Sequence, residues 1–255
     1  TLKGEGLQHQ DGHSHLIAST IPNLKAYDPA YAYEIAIIIQ NGLKIMYQDN
    51  QDVFYYITLE NENYMQPAMP QGVEEGIIRG MYQIKKSSNS KLNVQLLGSG
   101  PILNEVISAS KLLEDDWGVE SDVWSVTSYS ELHKDAEDIN RWNLLNPSKK
   151  NKVSYLDQCI KKSNGPVIAC SDYVKLVSEQ ISPYLDCDFT SIGTDGFGRS
   201  GTRDELRDFF EIDKYYITLA AMNSLYTQKK VDLKTIEKVI NKYKIDSEKI
   251  NPLKC

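Results

Sequence analysis

No apolar run in this chain approaches the roughly 20 residues that a membrane-spanning helix needs. The most apolar patch, Ile35 to Ile39, is flanked by Glu34 and Gln40, so no membrane partner is expected. Positive charge is also short: Lys and Arg number 28 against 35 Asp and Glu, a formal net charge of −7. That balance argues against a nucleic-acid surface and against docking on an acidic bilayer. Cysteine is scarce, with four residues (Cys159, Cys170, Cys187 and Cys255). They form no Cys-x2-Cys pair and no dense framework, so free thiols in a reducing compartment are expected. The N-terminus lacks a basic stretch followed by an apolar one, so no secretory signal is read and a cytoplasmic location is expected. An initiating Met is missing too, which suggests a piece of a longer protein. Repeats and low-complexity tracts are absent. What remains is an ordinary globular composition, 41% hydrophobic and 25% charged over 255 residues, enough for one large or two ordinary domains.

The richest stretch in chemistry is Gly4 to His15, Gly-Glu-Gly-Leu-Gln-His-Gln-Asp-Gly-His-Ser-His. It holds His9, His13 and His15, three of the four histidines. No period of 3.6 or 2 runs through it, so it reads as a loop in which Gly4, Gly6 and Gly12 permit sharp turns. Histidine can donate or accept a proton near neutrality, or bind a metal. Three readings follow: a solvated polar loop, a metal site on His9, His13 and His15, or the wall of an active site in which His9 meets a polar substrate. The His-x3-His-x-His spacing lacks the Cys or Glu that zinc motifs carry. The residues alone leave all three open.

Beyond the loop the pattern is α/β. Leu24 to Tyr27 reads as a short strand. Asp28-Pro29 signals a helix start, Asp as cap and Pro in the first turn, with a largely buried helix from about Ala30 to Tyr47. Val53 to Leu59 is β-branched and aromatic, hence a buried strand. The polar segment Glu60 to Gly72, with Pro67 and Pro70, marks a domain boundary. A short helix from Gly72 to Arg79 and a strand from Met81 to Lys86 follow. Leu92 to Leu97, Gly98-Ser99-Gly100, a helix from Pro101 to about Trp117 and a strand from Val119 to Thr127 form a crossover of a parallel sheet. The third glycine of a dinucleotide fingerprint would fall at Leu103, so Gly98-Ser99-Gly100 is read as a tight turn. A helix from His133 to Trp142, a solvated basic loop from Asn146 to Lys152 and a short helix from Tyr155 to Lys161 come next. Val167 to Cys170 is a strand, and Tyr173 to Ile181 a helix capped by Ser171 or Asp172. Phe189 to Ile192 is the last strand. A helix from Thr202 to Phe210 opens on a Thr202/Glu205 capping box. Lys214 to Lys229 and Asp232 to Tyr243 close the chain.

Gly-Leu-Gln-His-Gln-Asp-Gly-His-Ser-His, Ser19-Thr20-Ile21-Pro22-Asn23 and Tyr27-Asp28-Pro29-Ala30-Tyr31-Ala32-Tyr33-Glu34 together resemble one family. Further pieces lie in order along the chain: Tyr55-Tyr56-Ile57-Thr58, Asn61-Glu62-Asn63-Tyr64, Gln95 to Gly100, Asp122 to Ser128, Gly193 to Ser200 and Ile250-Asn251-Pro252. The chain resembles the single-chain, homodimeric bacterial pyruvate dehydrogenases, within the transketolase-like group of thiamine diphosphate enzymes. The resemblance implies that residues 1–66 are the C-terminal part of a pyrimidine-binding (middle) domain. Residues 67–255 would be a transketolase C-terminal-like α/β domain with a mostly parallel sheet. It implies an enzyme that uses thiamine diphosphate and Mg2+, decarboxylates pyruvate and passes the acetyl group to the lipoyl group of a dihydrolipoyl acetyltransferase. His9 becomes the active-site histidine, Gln8, Asp11, His13 and His15 support its loop, Ser14 hydrogen-bonds within it, and Tyr31, Tyr33 and Glu34 serve helix packing and capping. Family members carry Gly-Asp-Gly, with an Asn some way on, for the magnesium. Here Gly193-Thr194-Asp195-Gly196 is a near match with Asn223 downstream, but Thr194 separates Gly193 from Asp195, and Asn223 falls mid-helix. That turn is therefore read as structural. The magnesium motif and the activating Glu are expected in a missing N-terminal portion, since Glu5 sits in the wrong context. The fragment is expected to be inactive alone. An alternative of another class is a non-catalytic α/β assembly or ligand-binding module.

Overall fold

In a computed structural model of the chain, residues 9–88, 91–160 and 165–255 are described. A short helix α1 (Ser14–Ser19) leads to β1 (Leu24–Tyr27), and α2 (Ala32–Leu43) runs on as one π turn (Lys44–Gln48) before β2 (Phe54–Ile57). β1 and β2 pair in parallel, Leu24 opposite Phe54 and Tyr27 opposite Ile57. Helix α1 begins within the last two residues of the stretch read as loop, Ser14 and His15. Its six residues are too few to show a period, and its first turn is held by Asp11, whose carboxylate accepts from the N–H groups of His13 and Ser14.

Helix α2 departs from expectation in two ways. Asp28 is not its cap: the N-terminal N–H groups of Ala30 and Tyr31 are taken instead by Glu34 Oε2, at 2.5 and 3.0 Å. Nor is the helix largely buried. Ile38 is enclosed, but Ile39, Leu43 and Tyr47 remain exposed, because only one face packs on the rest of the chain. Phe54 of β2 is exposed as well, so this strand is not the buried one that its composition suggests.

Residues 58–70 carry no helix or strand, yet they are tied down. The Tyr64 hydroxyl donates to Ala30 O, Gln66 Oε1 accepts from Ala32 N at 3.0 Å, and Glu62 pairs with Arg207 at 2.5 Å. Then come α3 (Glu74–Arg79), β3 (Met81–Lys85), β4 (Asn93–Gly98), α4 (Ile102–Trp117), β5 (Glu120–Val126), α5 (Tyr129–Leu145) and α6 (Tyr155–Ile160). Strand β6 (Val167–Cys170), α7 (Leu176–Glu179), a 3-10 turn (Ser182–Tyr184) and β7 (Phe189–Ile192) follow. The chain closes with α8 (Arg203–Phe209), α9 (Lys214–Thr227), α10 (Leu233–Tyr243) and a 3-10 turn (Pro252–Lys254).

The second sheet has five strands in the order β3-β5-β4-β6-β7. β3 is antiparallel to β5 and every other pairing is parallel. Side chains alternate between the two faces, as strand geometry requires. Val94, Leu96, Ile168 and Cys170 enter one core with α4 and α9. Leu97, Val167 and Ala169 enter the other with Leu132 of α5 and Leu156 of α6. Mostly parallel strands covered on both faces make this a layered α/β unit. Polar side chains also enter the sheet, and the most enclosed amide among them is satisfied: buried Gln95 donates to Asp122 at 2.6 Å and accepts from Trp124 Nε1 at 2.9 Å.

Two helices differ from their sequence reading. α5 is longer than expected at both ends and is capped by Ser128, which accepts from Glu131 N. α7 is only four residues and is not capped by Ser171 or Asp172; Asp195 Oδ1 accepts from Lys175 N at 3.0 Å instead. The Thr202/Glu205 capping box forms as expected.

The small parallel pair is fastened to the five-stranded unit by Glu34. Its Oε1 accepts from the Tyr82 hydroxyl of β3 and the Ser125 hydroxyl of β5, both at 2.6 Å. Burial raises this carboxyl above its ordinary range, against the four hydrogen bonds that favour its charged form.

Candidate functional site

The carboxyl ends of the parallel strands bring polar residues together. Asp28 follows β1, Thr58 and Glu60 follow β2, Ser99 follows β4, and Ser171 and Asp172 follow β6. In open α/β sheets the carboxyl ends of the strands are where a crevice for ligands forms. Asp28 is buried and lies at the centre. It accepts from the hydroxyls of Thr58 and Ser99, each at 2.8 Å. Gly100, at φ +49°, wraps around it; a Cβ there would meet both carboxylate oxygens at 2.8 Å, so the glycine is needed for that approach. Burial holds Asp28 above the ordinary carboxylate range, partly offset by His15 and the two hydroxyls.

His15 closes this cluster. Its Nε2 lies 3.0 Å from Thr58 Oγ1, and its ring stands edge-on to Tyr173 at 4.6 Å and to Tyr56 at 5.4 Å. The Thr58 hydroxyl has two acceptors for its single proton, Asp28 Oδ1 at 2.8 Å and Tyr27 O at 3.3 Å, an arrangement completed by the tautomer that carries its hydrogen on Nε2. Burial pulls the imidazole below its ordinary value, against the opposing pull of Asp28 and Asp11, which keeps the ring neutral near pH 7.

The rest of the His loop is placed as follows. His9 and His13 are exposed, and His15 is buried. Asp11 is exposed; burial raises its carboxyl, but hydrogen bonds from Ser14 and from the His13 N–H outweigh this and hold it below the usual value. The Ser14 hydroxyl donates to Asp11. Gln8 and Glu5 lie outside the described residues. Gln10, Asp11, Thr58, Glu60, Asp172 and Tyr173 line a cavity of about 300 Å3, and His9 stands one residue before this wall. Burial, then the neighbouring Asp172 and Asp28, push Glu60 up to about 8. The three loop histidines do not converge. Among the described residues no group of three or more His, Cys, Asp or Glu could hold a metal ion.

Residues 80–213, more than half of the chain, match the model of the transketolase-like TK C-terminal domain. The chain belongs to the transketolase-like C-terminal domain family. Its first part, residues 1–67, matches the middle domain of the pyruvate dehydrogenase E1 component. The whole chain aligns with pyruvate dehydrogenase E1 components, at 53% identity over 100% of its length to the one from Pseudomonas aeruginosa. To that from Escherichia coli K12 it is 49% identical over 99% of its length. It spans only 29% and 28% of those relatives. Among solved structures, transketolase from Leishmania mexicana superposes with a TM-score of 0.65 at 17% identity, covering 88% of this chain and 28% of that one. A split-gene transketolase, in an inactive beta4 tetramer, gives 0.59 at 16%, covering 86% of this chain and 63% of that one. At such identities these show the fold alone. The fold expected from the sequence, a mostly parallel transketolase-like α/β sheet, is the one observed.

For a transketolase-like chain, a diphosphate–magnesium site is not made by Asp195 and Asn223, the candidates among the described residues. Asp195 is engaged by Lys175, through N–H at 3.0 Å and Nζ at 3.7 Å, and Asn223 sits exposed on α9. Sequence reasoning missed Asp28, Thr58, Glu60, Ser99, Asp172 and Tyr173. The signal was available: each lies within a few residues of the carboxyl end of a strand that the sequence did reveal.

Proposed function

We propose that this chain supplies the His loop and the C-terminal domain of a pyruvate dehydrogenase E1 component. Such an enzyme would use thiamine diphosphate and Mg2+, decarboxylate pyruvate and pass the acetyl group to the lipoyl group of a dihydrolipoyl acetyltransferase. One observation carries the reading: similarity to these components extends over the entire chain at 53% identity, His loop included. On this reading residues 1–66 end the pyrimidine-binding domain and residues 67–255 form the C-terminal domain. The diphosphate and metal ligands come from the remaining part of a homodimeric, cytoplasmic enzyme.

His9 is the residue that meets substrate. It is exposed and directly precedes in the chain Gln10 and Asp11, which line the cavity, and on this reading its imidazole hydrogen-bonds the pyruvate carbonyl oxygen. A donor there is worth most where negative charge develops during reaction. Asp11, His13 and His15, with Gln8 by sequence, support the loop. Among the described residues no helix is long and apolar enough to cross a membrane.

Pyruvate-dependent reduction of an artificial electron acceptor, with thiamine diphosphate and magnesium present, tests the proposal. The chain alone is expected to be inactive, and the complete enzyme active. His9→Ala in the complete enzyme is expected to lower kcat/KM by about 10²–10³. Full activity from the chain alone, or from the His9→Ala enzyme, would overturn the reading.

A further inference from the structure

The turn Gly193-Thr194-Asp195-Gly196-Phe197-Gly198-Arg199-Ser200 has no part in the chemistry above, yet it is the far wall of the His loop. Gln10 reaches across to it, its Oε1 accepting from Arg199 N at 3.2 Å. Two residues on, Gly12 O accepts from Val174 N at 2.9 Å, just past β6. Three further on, His15 docks on Thr58 at the end of β2. The loop is thus strung between three elements, and His9 leads directly into the first anchor.

The turn itself is built to hold still. Thr194 N donates to Tyr173 O at 2.9 Å, the Thr194 hydroxyl donates to Asp172 O at 2.7 Å, and Asp195 holds Lys175 N. Gly196 takes φ +102°, where a Cβ would meet Pro252 O at 2.5 Å. Three of these partners, Asp172, Tyr173 and Lys175, lie in residues 172–175, so the turn is tied directly to the segment that follows β6. An exposed histidine on a glycine-bearing loop has no rigidity of its own; a small displacement of such a group is enough to lose much of its effect on a reaction.

We infer that the 193–200 turn positions His9, acting through the Arg199 N–H to Gln10 Oε1 hydrogen bond, with Gln10 as the positioning residue. The inference rests on the reading of His9 as the substrate-facing histidine. It assigns to the C-terminal domain a part in organising a loop that belongs to the preceding unit.

The test is a double-mutant cycle in the complete enzyme. Gln10→Met keeps the length of the side chain and removes the acceptor. It is expected to lower kcat/KM about fivefold, the value of one ordinary hydrogen bond, leaving the melting temperature unchanged. Gln10→Glu keeps an acceptor oxygen and is expected to restore most of the loss. In a His9→Ala background, Gln10→Met is expected to have no further effect, because a positioning residue acts only through the group it positions. Equal losses in both backgrounds, or no loss in either, would overturn the inference. If His9→Ala is itself silent, the proposed function fails instead. The anchor is then judged by hydrogen exchange at the Arg199 amide: faster exchange in Gln10→Met supports it, and an unchanged rate overturns it.

Discussion

Glu34 offers the sharpest test of how the two units are joined. Its side chain is fully buried, at 0% exposure, and accepts four hydrogen bonds. Two come from the backbone at the start of α2 and two from hydroxyls of the five-stranded sheet. In Glu34→Ala the Tyr82 hydroxyl keeps the Tyr33 hydroxyl as partner, at 2.6 Å. The N–H groups of Ala30 and Tyr31 and the Ser125 hydroxyl lose the acceptor that Glu34 provides. At roughly 1–2 kcal/mol for each of the three donors left buried and unpaired, the substitution costs about 3–6 kcal/mol. That is a large share of an ordinary protein's stability of about 5–15 kcal/mol. For a chain of this size it lowers the melting temperature by roughly 10 °C. Thermal unfolding followed by circular dichroism reads the shift. Glu34→Gln retains one acceptor oxygen and falls between parent and alanine variant. An alanine variant that melts with the parent would refute the claim that this carboxylate fastens α2 to the sheet.

Three further outcomes follow from the same reasoning. Arg207, buried, bridges Glu62 at 2.5 Å and Glu105 at 3.2 Å; Arg207→Met removes the cation between them, leaving Glu62 only Arg203 at 3.5 Å, and costs about 3–5 kcal/mol in urea unfolding. Gly80 sits at φ +109°, where a Cβ would meet Ser128 O at 2.5 Å, so Gly80→Ala combines backbone strain with a clash and destabilises by about 3 kcal/mol or more. Glu60 has a folded-state value of about 8 against 4.5 for the free group, so its stabilising contribution is complete below pH 4.5 and is lost as pH rises towards 8. Glu60→Gln should therefore be more stable than the parent at pH 8 and above, by about 1–2 kcal/mol once solvent screening is allowed for, with the gain shrinking towards pH 5. A gain that is the same at both pH values would contradict the assignment.

Much of the architecture was present in the sequence because it depends on local rules. Strands β1, β3, β4, β5, β6 and β7 lie where β-branched and aromatic runs predict them, and α4, α8, α9 and α10 lie where caps and turn residues predict them. Thr202 and Glu205 form their capping box because both partners sit within one turn of chain. The errors fall where a distant residue outbid a local one. Asp28 reads as a helix cap, but Thr58 and Ser99, from 30 and 71 residues away in sequence, draw it into a buried cluster, and Glu34 takes over the cap. Tyr173 to Ile181 reads as a helix, but Asp195 folds across its start and only Leu176–Glu179 is helical. For the site, the sequence by itself determined the donors: a loop rich in histidine and polar residues at the strand ends. The tertiary structure alone decided which of them meet. Parallel strands place their carboxyl ends side by side whatever their separation in the chain. That juxtaposition buries His15 against Thr58, leaves His9 in solvent, and sets Gln10 against Arg199, 189 residues away.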